Sequence, residues 1–194
     1  MARQSRTQLG NVLLFLQEWL SAPKKIGSIT PSSKALCNAM ADWLPADRNE
    51  YVIELGPGTG PVTQTLLDRG LRPDRLIAIE LTAKLADLLH ERFPGIHVIN
   101  GDACHMDELI RKHVPQAKTI GAVISSLPLR NFPPDIAEAL AKKIQQVLRP
   151  EGKWVQFSYR IRSKRHQGDH HFKHLPSKIV WLNVPPARVS VFQK

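Results

Sequence analysis

The sequence predicts an α/β fold: a Rossmann-like, seven-stranded and mostly parallel sheet with helices on both faces, closed by an antiparallel C-terminal hairpin strand. Three observations carry this expectation. Short apolar runs ending in glycines or acids alternate with segments of helical periodicity. The stretch Tyr51-Val-Ile-Glu-Leu-Gly-Pro-Gly-Thr-Gly60 passes from a buried strand through a tight turn into a helix start. Glu80 then closes a second apolar run 20 residues after Gly60, the offset at which an acid commonly meets a nucleotide ribose.

Taken in order, residues 7–20 place Leu9, Val12, Leu13, Leu16, Trp19 and Leu20 on one helical face, with Asn11 and Glu18 opposite. Such a helix either docks on its own domain or lies in a membrane interface. Trp19, with Arg3 and Arg6 before it and Lys24 and Lys25 after it, suits the interface. A loop follows, in which Ser32 or Ser33 caps a second helix that buries Leu36, Ala39, Met40 and Trp43, runs to about Leu44 and is stopped by Pro45.

Beyond the glycine turn the pattern repeats. Helices are expected at 61–69, 83–93, 106–113 and 135–148, and strands at 76–80, 96–100, 117–125 and 154–159. Strands near 178–184 and 188–192, separated by Pro185 and Pro186, complete the sheet. Residues 160–174, rich in Lys, Arg and His, form the least structured internal segment.

The 194 residues suit one domain, with N-terminal helices at 1–45 on a core at 46–194, and leave no room for a separate recognition domain. A net charge of +10 points to polyanionic partners, either nucleic acid or an acidic membrane surface. Cys37 and Cys104 alone make no disulfide framework and suit a reduced cytoplasmic setting. No apolar run reaches the roughly 18 residues that span a bilayer, and residues 1–20 lack the form of a signal peptide, so a soluble or peripheral protein is expected.

Three strand ends supply three candidate ligand contacts. Gly56, Gly58 and Gly60 remove Cβ atoms where the backbone turns sharply and a ligand can approach. Glu54 is placed to receive a cationic group, Glu80 ribose hydroxyls, and Asp102 an adenine amino group.

Glu54-Leu-Gly-Pro-Gly-Thr-Gly60, Ala78-Ile-Glu80 and Asn100-Gly-Asp-Ala103 together resemble the cofactor half of class I S-adenosylmethionine-dependent methyltransferases. The glycine spacing is not the G-x-G-x-x-G of dinucleotide enzymes, which favours S-adenosylmethionine over NAD. The resemblance implies a Rossmann-like class I methyltransferase with S-adenosylmethionine as cofactor and S-adenosylhomocysteine as product. It also implies that Leu81, Ala103 and Ser125 join the cofactor contacts.

Ligands bind beyond the carboxyl ends of such strands, so Ser125-Ser-Leu-Pro-Leu-Arg-Asn131 lies beside the transferred methyl. Adenine N-methyltransferases carry Asn or Asp and an aromatic residue here; this chain has Ser126 and Leu129. More of the chain resembles the bacterial phospholipid N-methyltransferases of the soluble Rhodobacter type, which carry phosphatidylethanolamine towards phosphatidylcholine. The similar parts are residues 15–33, 54–60, 100–103, 125–133 and 155–159. That resemblance implies stepwise methylation of one nitrogen, and an N-terminal helix that binds the membrane and covers the site.

The enzyme so implied is a monomer, peripheral on the inner face of the cytoplasmic membrane, with a phospholipid substrate and no nucleic-acid partner. Methyl transfer is an in-line displacement, and the substrate ammonium, with a pKa of roughly 10, must first lose a proton. Tyr159, with groups near Ser125 and Ser126, is the candidate for orienting the amine while water takes that proton; the alternative for Tyr159 is a packed strand-end ring. Arg130, Asn131, Arg160, Lys24 and Lys25 are candidates for the lipid phosphate and membrane surface. No metal is expected, because sulfonium methyl transfer needs no Lewis acid and His166, His170, His171 and His174 show no fixed ligand spacing. The alternatives are a ribosomal-RNA adenine N6-dimethyltransferase and a non-catalytic membrane-binding module.

Overall fold

Strand β1 (Tyr51–Leu55) is buried along its whole length, as are β2 (Leu76–Glu80) and β4 (Ile120–Ser125) on either side of it. Their near-continuous Val, Ile and Leu runs belong to strands covered on both faces. In register, Ile53 lies opposite Ile77 on one side and Val123 on the other. The outer strands are β3 (His97–Asn100), β5 (Leu148–Ser158), β6 (Lys173–Val180) and β7 (Ala187–Gln193). The sheet order is β3-β2-β1-β4-β5-β7-β6. Strands β1 to β5 pair in parallel, and β7 runs against both β5 and β6, so β6 points the same way as β5. The expected seven-stranded fold is therefore present.

This computed structural model describes residues 32–159, 161 and 169–194. The amphipathic helix expected at 7–20, and with it Trp19, Lys24, Lys25 and Arg160, lies outside the described residues.

Among the described residues α1 (Lys34–Ala41) precedes the sheet, and four helices connect its strands: α2 (Pro61–Asp68), α3 (Ala83–Arg92), α4 (Met106–His113) and α5 (Pro134–Val147). Ser33 caps α1, its Oγ accepting from Leu36 N at 3.2 Å. Pro61 opens α2, where its missing N–H costs nothing. Helix α4 carries Asp107 and Glu108 in its first turn and Arg111, Lys112 and His113 in its last, as the helix dipole favours. One part of the core joins Leu36 and Met40 of α1 to Val62 and Leu66 of α2 and to strand residues Val52, Ile124, Val155 and Val189. Elsewhere Trp154 stacks on Phe192 with ring centroids 4.7 Å apart, and Phe172 lies 5.3 Å from Trp154.

The edge of the sheet departs from expectation. Strand β6 begins at Lys173 and stops at Val180, whereas the apolar pattern places a strand at 178–184. An edge strand needs ladder hydrogen bonds more than apolar side chains, so the mostly exposed residues of β6 pair with β7 without a hydrophobic signal. The register shifts between Leu175 and Lys178, around Pro176, which has no N–H to donate. The chain has already turned at Trp181 to Val184. Strand β5 likewise starts early, at Leu148, and α1 ends at Ala41, short of Leu44.

Candidate active site

Sheet order reverses between β1, which leads to β2 and β3, and β4, which leads to β5. A doubly wound sheet opens a crevice at the carboxyl ends of such a pair. The glycine loop leaves β1 at this edge, with Gly56, Gly58 and Gly60 at φ of 66°, 60° and 84°. A Cβ on Gly56 would lie 2.6 Å from Leu127 Cδ2, and one on Gly60 would lie 2.4 Å from the Phe93 ring. A Cβ on Gly58 would meet nothing within 4 Å. Two of the glycines are thus held by packing, while Gly58 is the open side of the loop, where a ligand can reach the main chain.

Glu54 is completely buried at the end of β1. Its Oε2 accepts from the Thr63 hydroxyl at 2.7 Å, and its Oε1 is buried without a hydrogen-bond partner among the described residues. Burial pushes its pKa up to about 7; the Thr63 hydrogen bonds pull it down, and the neighbouring Glu80 charge adds to the rise. A spare buried carboxylate oxygen suits a cationic ligand group, whose charge would compensate its desolvation.

Glu80, nearly inaccessible, ties the glycine loop to the turn after β2. Its Oε2 accepts from Gly58 N at 3.1 Å and its Oε1 from Thr82 N at 3.0 Å. Each oxygen retains a lone pair for a ribose hydroxyl. Asn100 Nδ2 donates to the carbonyls of Glu80 and Leu81, both at 2.9 Å, and so fixes the turn that Leu81 occupies. Asp102 Oδ1 accepts from Cys104 N at 2.9 Å and starts a short 3-10 turn that begins at Ala103. Burial, with the Asp102 charge beside it, pushes the Cys104 thiol up to about 12, so it packs as a neutral group.

The acceptor side begins where β4 ends. Ser125 is buried, and its Oγ accepts from Leu127 N at 3.4 Å. Ser126 N donates to Leu55 O at 2.9 Å, joining the segment to β1. A 3-10 turn at Leu129–Asn131 buries Leu129, half-buries Arg130 and exposes Asn131. Gln156, paired with Ser125 across β4 and β5, donates from Nε2 to Leu127 O at 2.9 Å and Phe157 O at 2.8 Å. Its Oε1 is buried without a partner among the described residues. Tyr159 follows β5, half-buried and edge-on to Phe157 with centroids 5.4 Å apart. Burial raises the pKa of its hydroxyl, against a hydrogen bond with Asn183.

The structure therefore places Glu54, Gly56, Gly58, Gly60, Glu80, Leu81, Asp102, Ala103, Ser125, Ser126, Arg130, Asn131 and Tyr159 in or just beyond the carboxyl ends of the parallel strands. Sequence reasoning missed Thr63, Gln156 and Asn183. Gln156 carries one signal, a polar residue inside the apolar run of β5; Thr63 carries none. The histidine segment also holds a juxtaposition that spacing does not show: Glu138, His170 and His171 bring ligand atoms within 4.8 Å of one another at the surface, with Glu138 already bonded to Lys142 at 2.9 Å.

A family model described as a methyltransferase domain matches residues 52–152, more than half of the chain. The chain belongs to the S-adenosylmethionine-dependent methyltransferases. Over 150 residues the methyltransferase is 33% identical to the ornithine lipid N-methyltransferase of Singulisphaera acidiphila, covering 75% of this chain and 76% of that one. It is 28% identical over 126 residues to the ribosomal RNA small subunit methyltransferase A of Alkaliphilus oremlandii, but spans only 42% of that protein. In fold it is similar to the Burkholderia thailandensis 1,6-didemethyltoxoflavin-N1-methyltransferase, solved with its substrate and S-adenosylhomocysteine, at a TM-score of 0.66 and 15% identity over 100% of this chain and 90% of that one. The cofactor of the methyltransferase is S-adenosylmethionine. The open Gly58 backbone and the spare Glu54 oxygen fit it.

Proposed function

We propose that this methyltransferase methylates the primary amine of a membrane-lipid head group, taking phosphatidylethanolamine stepwise towards phosphatidylcholine. The observation that carries the reading is the acceptor segment after β4. Leu129 and Phe132 are both turned into the core, and Ser126 stands where adenine enzymes place Asn or Asp. A flipped base would find no stacking ring on this segment. A small aliphatic amine needs only hydrogen-bond acceptors and exclusion of water.

Bound S-adenosylmethionine supplies an electrophilic methyl on sulfur. The chain positions what reacts with it. The spare Glu54 oxygen receives the cofactor's ammonium, Glu80 its ribose and Asp102 its adenine, with Leu81, Ala103 and Ser125 beside them. Ser126, Tyr159 and the free Gln156 Oε1 hold the acceptor nitrogen with its lone pair towards the methyl, worth orders of magnitude in effective concentration. The amine, with a pKa of roughly 10, gives its proton to water before attack. Arg130 and Asn131 are assigned to the lipid phosphate, and Arg160, Lys24, Lys25 and Trp19 to the membrane surface. None of the described helices is long and apolar enough to cross a membrane.

A second lipid is favoured by the similarity to the ornithine lipid enzyme, because ornithine lipid also presents a primary amine. Mass spectrometry of vesicles containing phosphatidylethanolamine, ornithine lipid and an anionic lipid, after incubation with the protein and S-adenosylmethionine, separates the two substrates. Mass gains in steps of one methylene on either lipid support the class and count the rounds. Methylated ribosomal RNA in a parallel reaction, with unchanged lipids, refutes it.

A further inference from the structure

Three of the four exposed large apolar residues among those described sit on one six-residue turn. Trp181 is 66% exposed, Leu182 83% and Val184 75%. Single exposed apolar residues are ordinary, but three together at the tip of a hairpin mark a contact surface. The residue between them is inverted in the opposite sense: Asn183, a polar side chain at a turn, is buried. Its Oδ1 accepts from Ser33 N at 3.0 Å and its Nδ2 donates to Pro185 O at 2.7 Å. The turn is thus pinned from inside, with its apolar side chains directed outward.

Its place in the fold gives it a partner. Because β6 runs with β1 to β5, the β6–β7 turn leaves the sheet at the carboxyl edge, where the glycine loop and the acceptor segment lie. Asn183 also lies close enough to the Tyr159 hydroxyl to lower its pKa against burial, so the turn adjoins the acceptor side of the site. A lipid whose acyl chains stay in the bilayer presents its amine only just outside the hydrocarbon, so this edge must face the membrane during turnover. Trp is the side chain best suited to that boundary. An exposed cation adjoins the tip, since Lys34 follows the Ser33 that donates to Asn183; Lys178, near the end of β6, is 65% exposed but pairs with Asp42 at 3.5 Å. With a chain charge of +10, Lys34 complements an anionic surface.

We propose that the β6–β7 turn is a membrane-docking element that seats Trp181, Leu182 and Val184 in the interface of an anionic bilayer, bringing the acceptor side of the site to the lipid head group. This rests on the lipid-amine reading and adds to it a contact separate from the N-terminal segment.

The test compares the full chain with its L182D/V184D double variant on vesicles of phosphatidylethanolamine and phosphatidylglycerol, by sedimentation. Removing two apolar anchors and adding two charges should lower the partition coefficient roughly tenfold or more. Turnover of vesicle lipid should fall with it. Affinity for S-adenosylhomocysteine and turnover of dispersed dihexanoyl-phosphatidylethanolamine should stay unchanged, which shows that the variant is folded. Fluorescence quenching by brominated acyl chains should drop in W181F. Unchanged partition in the double variant overturns the proposal, as does a wild-type dimer that the variant splits on ultracentrifugation, since the turn would then seat a second copy. Absence of turnover on every lipid amine by the wild type instead refutes the lipid-amine reading, while vesicle binding still reports on the turn.

Discussion

Glu54 offers a test in which folding and binding respond to pH in opposite directions. Burial raises its pKa from 4.5 to about 7, so the folded apoprotein holds its proton more tightly than the unfolded chain does. Stability from this group is fully present below the unfolded value and is lost as pH rises through about 7. The rise corresponds to about 3 kcal/mol, the most that ionised Glu54 can cost the empty protein. Glu54→Gln removes the charge and keeps the shape. The variant should match wild type near pH 5 and exceed it by up to about 3 kcal/mol near pH 8 in denaturant unfolding without cofactor. Binding should run the other way. If the spare carboxylate oxygen receives the cofactor's ammonium, calorimetry with S-adenosylhomocysteine should show wild-type affinity weakening by up to about tenfold per pH unit below 7, while the variant binds weakly with little pH dependence. A wild-type-minus-variant stability difference that stays constant from pH 5 to pH 8 would refute the account of Glu54.

The glycines separate packing from binding. Gly60→Ala forces a methyl against the Phe93 ring at a φ of 84° and should cost about 2–4 kcal/mol in thermal unfolding, whereas Gly58→Ala, with open space around it, should cost only about 1 kcal/mol yet lose affinity for S-adenosylhomocysteine. Equal affinity in Gly58→Ala and wild type would place the cofactor elsewhere. Glu80→Ala should abolish cofactor binding by calorimetry. Tyr159→Phe should lower turnover of lipid amine roughly tenfold with cofactor affinity unchanged; full turnover would return Tyr159 to a packing role. Arg149→Ala leaves the Glu50 carboxylate, bonded to it at 2.6 Å, without its partner, and because Arg149 is partly solvated the loss in a urea titration should be about 1–2 kcal/mol.

What the sequence conveys follows from how local each determinant is. The strand, glycine turn and helix at 51–68 are legible because apolar run, left-handed turn and Pro61 succeed one another within a few residues. Helix α4 falls at 106–113 as its periodicity and charge pattern require. Edge strand β6 is not legible, because ladder bonds to β7 hold it and its side chains face solvent. Trp181 to Val184 misleads for the converse reason: β-forming residues there compose a turn fixed by Asn183, whose partners Ser33 and Pro185 are set by tertiary contact. In the site, Glu54 and Glu80 can be read from strand ends, but the spare oxygens of Glu54 and Gln156 emerge only once Thr63, Leu127 and Phe157 have claimed the other atoms.

The reversal of sheet order between β1 and β4 also divides the chain by task. Residues proposed to hold the methyl donor fall at 54–103 with Ser125 at the end of β4, and those proposed to meet the acceptor begin at 126. One ligand is therefore served by the first half of the fold and the other by the second, with a single seam between two neighbouring strands. A lineage can replace everything after β4 with loops for a lipid, a nucleobase or a small metabolite and leave the donor cradle intact. The same seam is where a chimera should be cut: grafting the segment after Ser125 from a relative onto this first half ought to transfer acceptor choice while preserving affinity for S-adenosylhomocysteine.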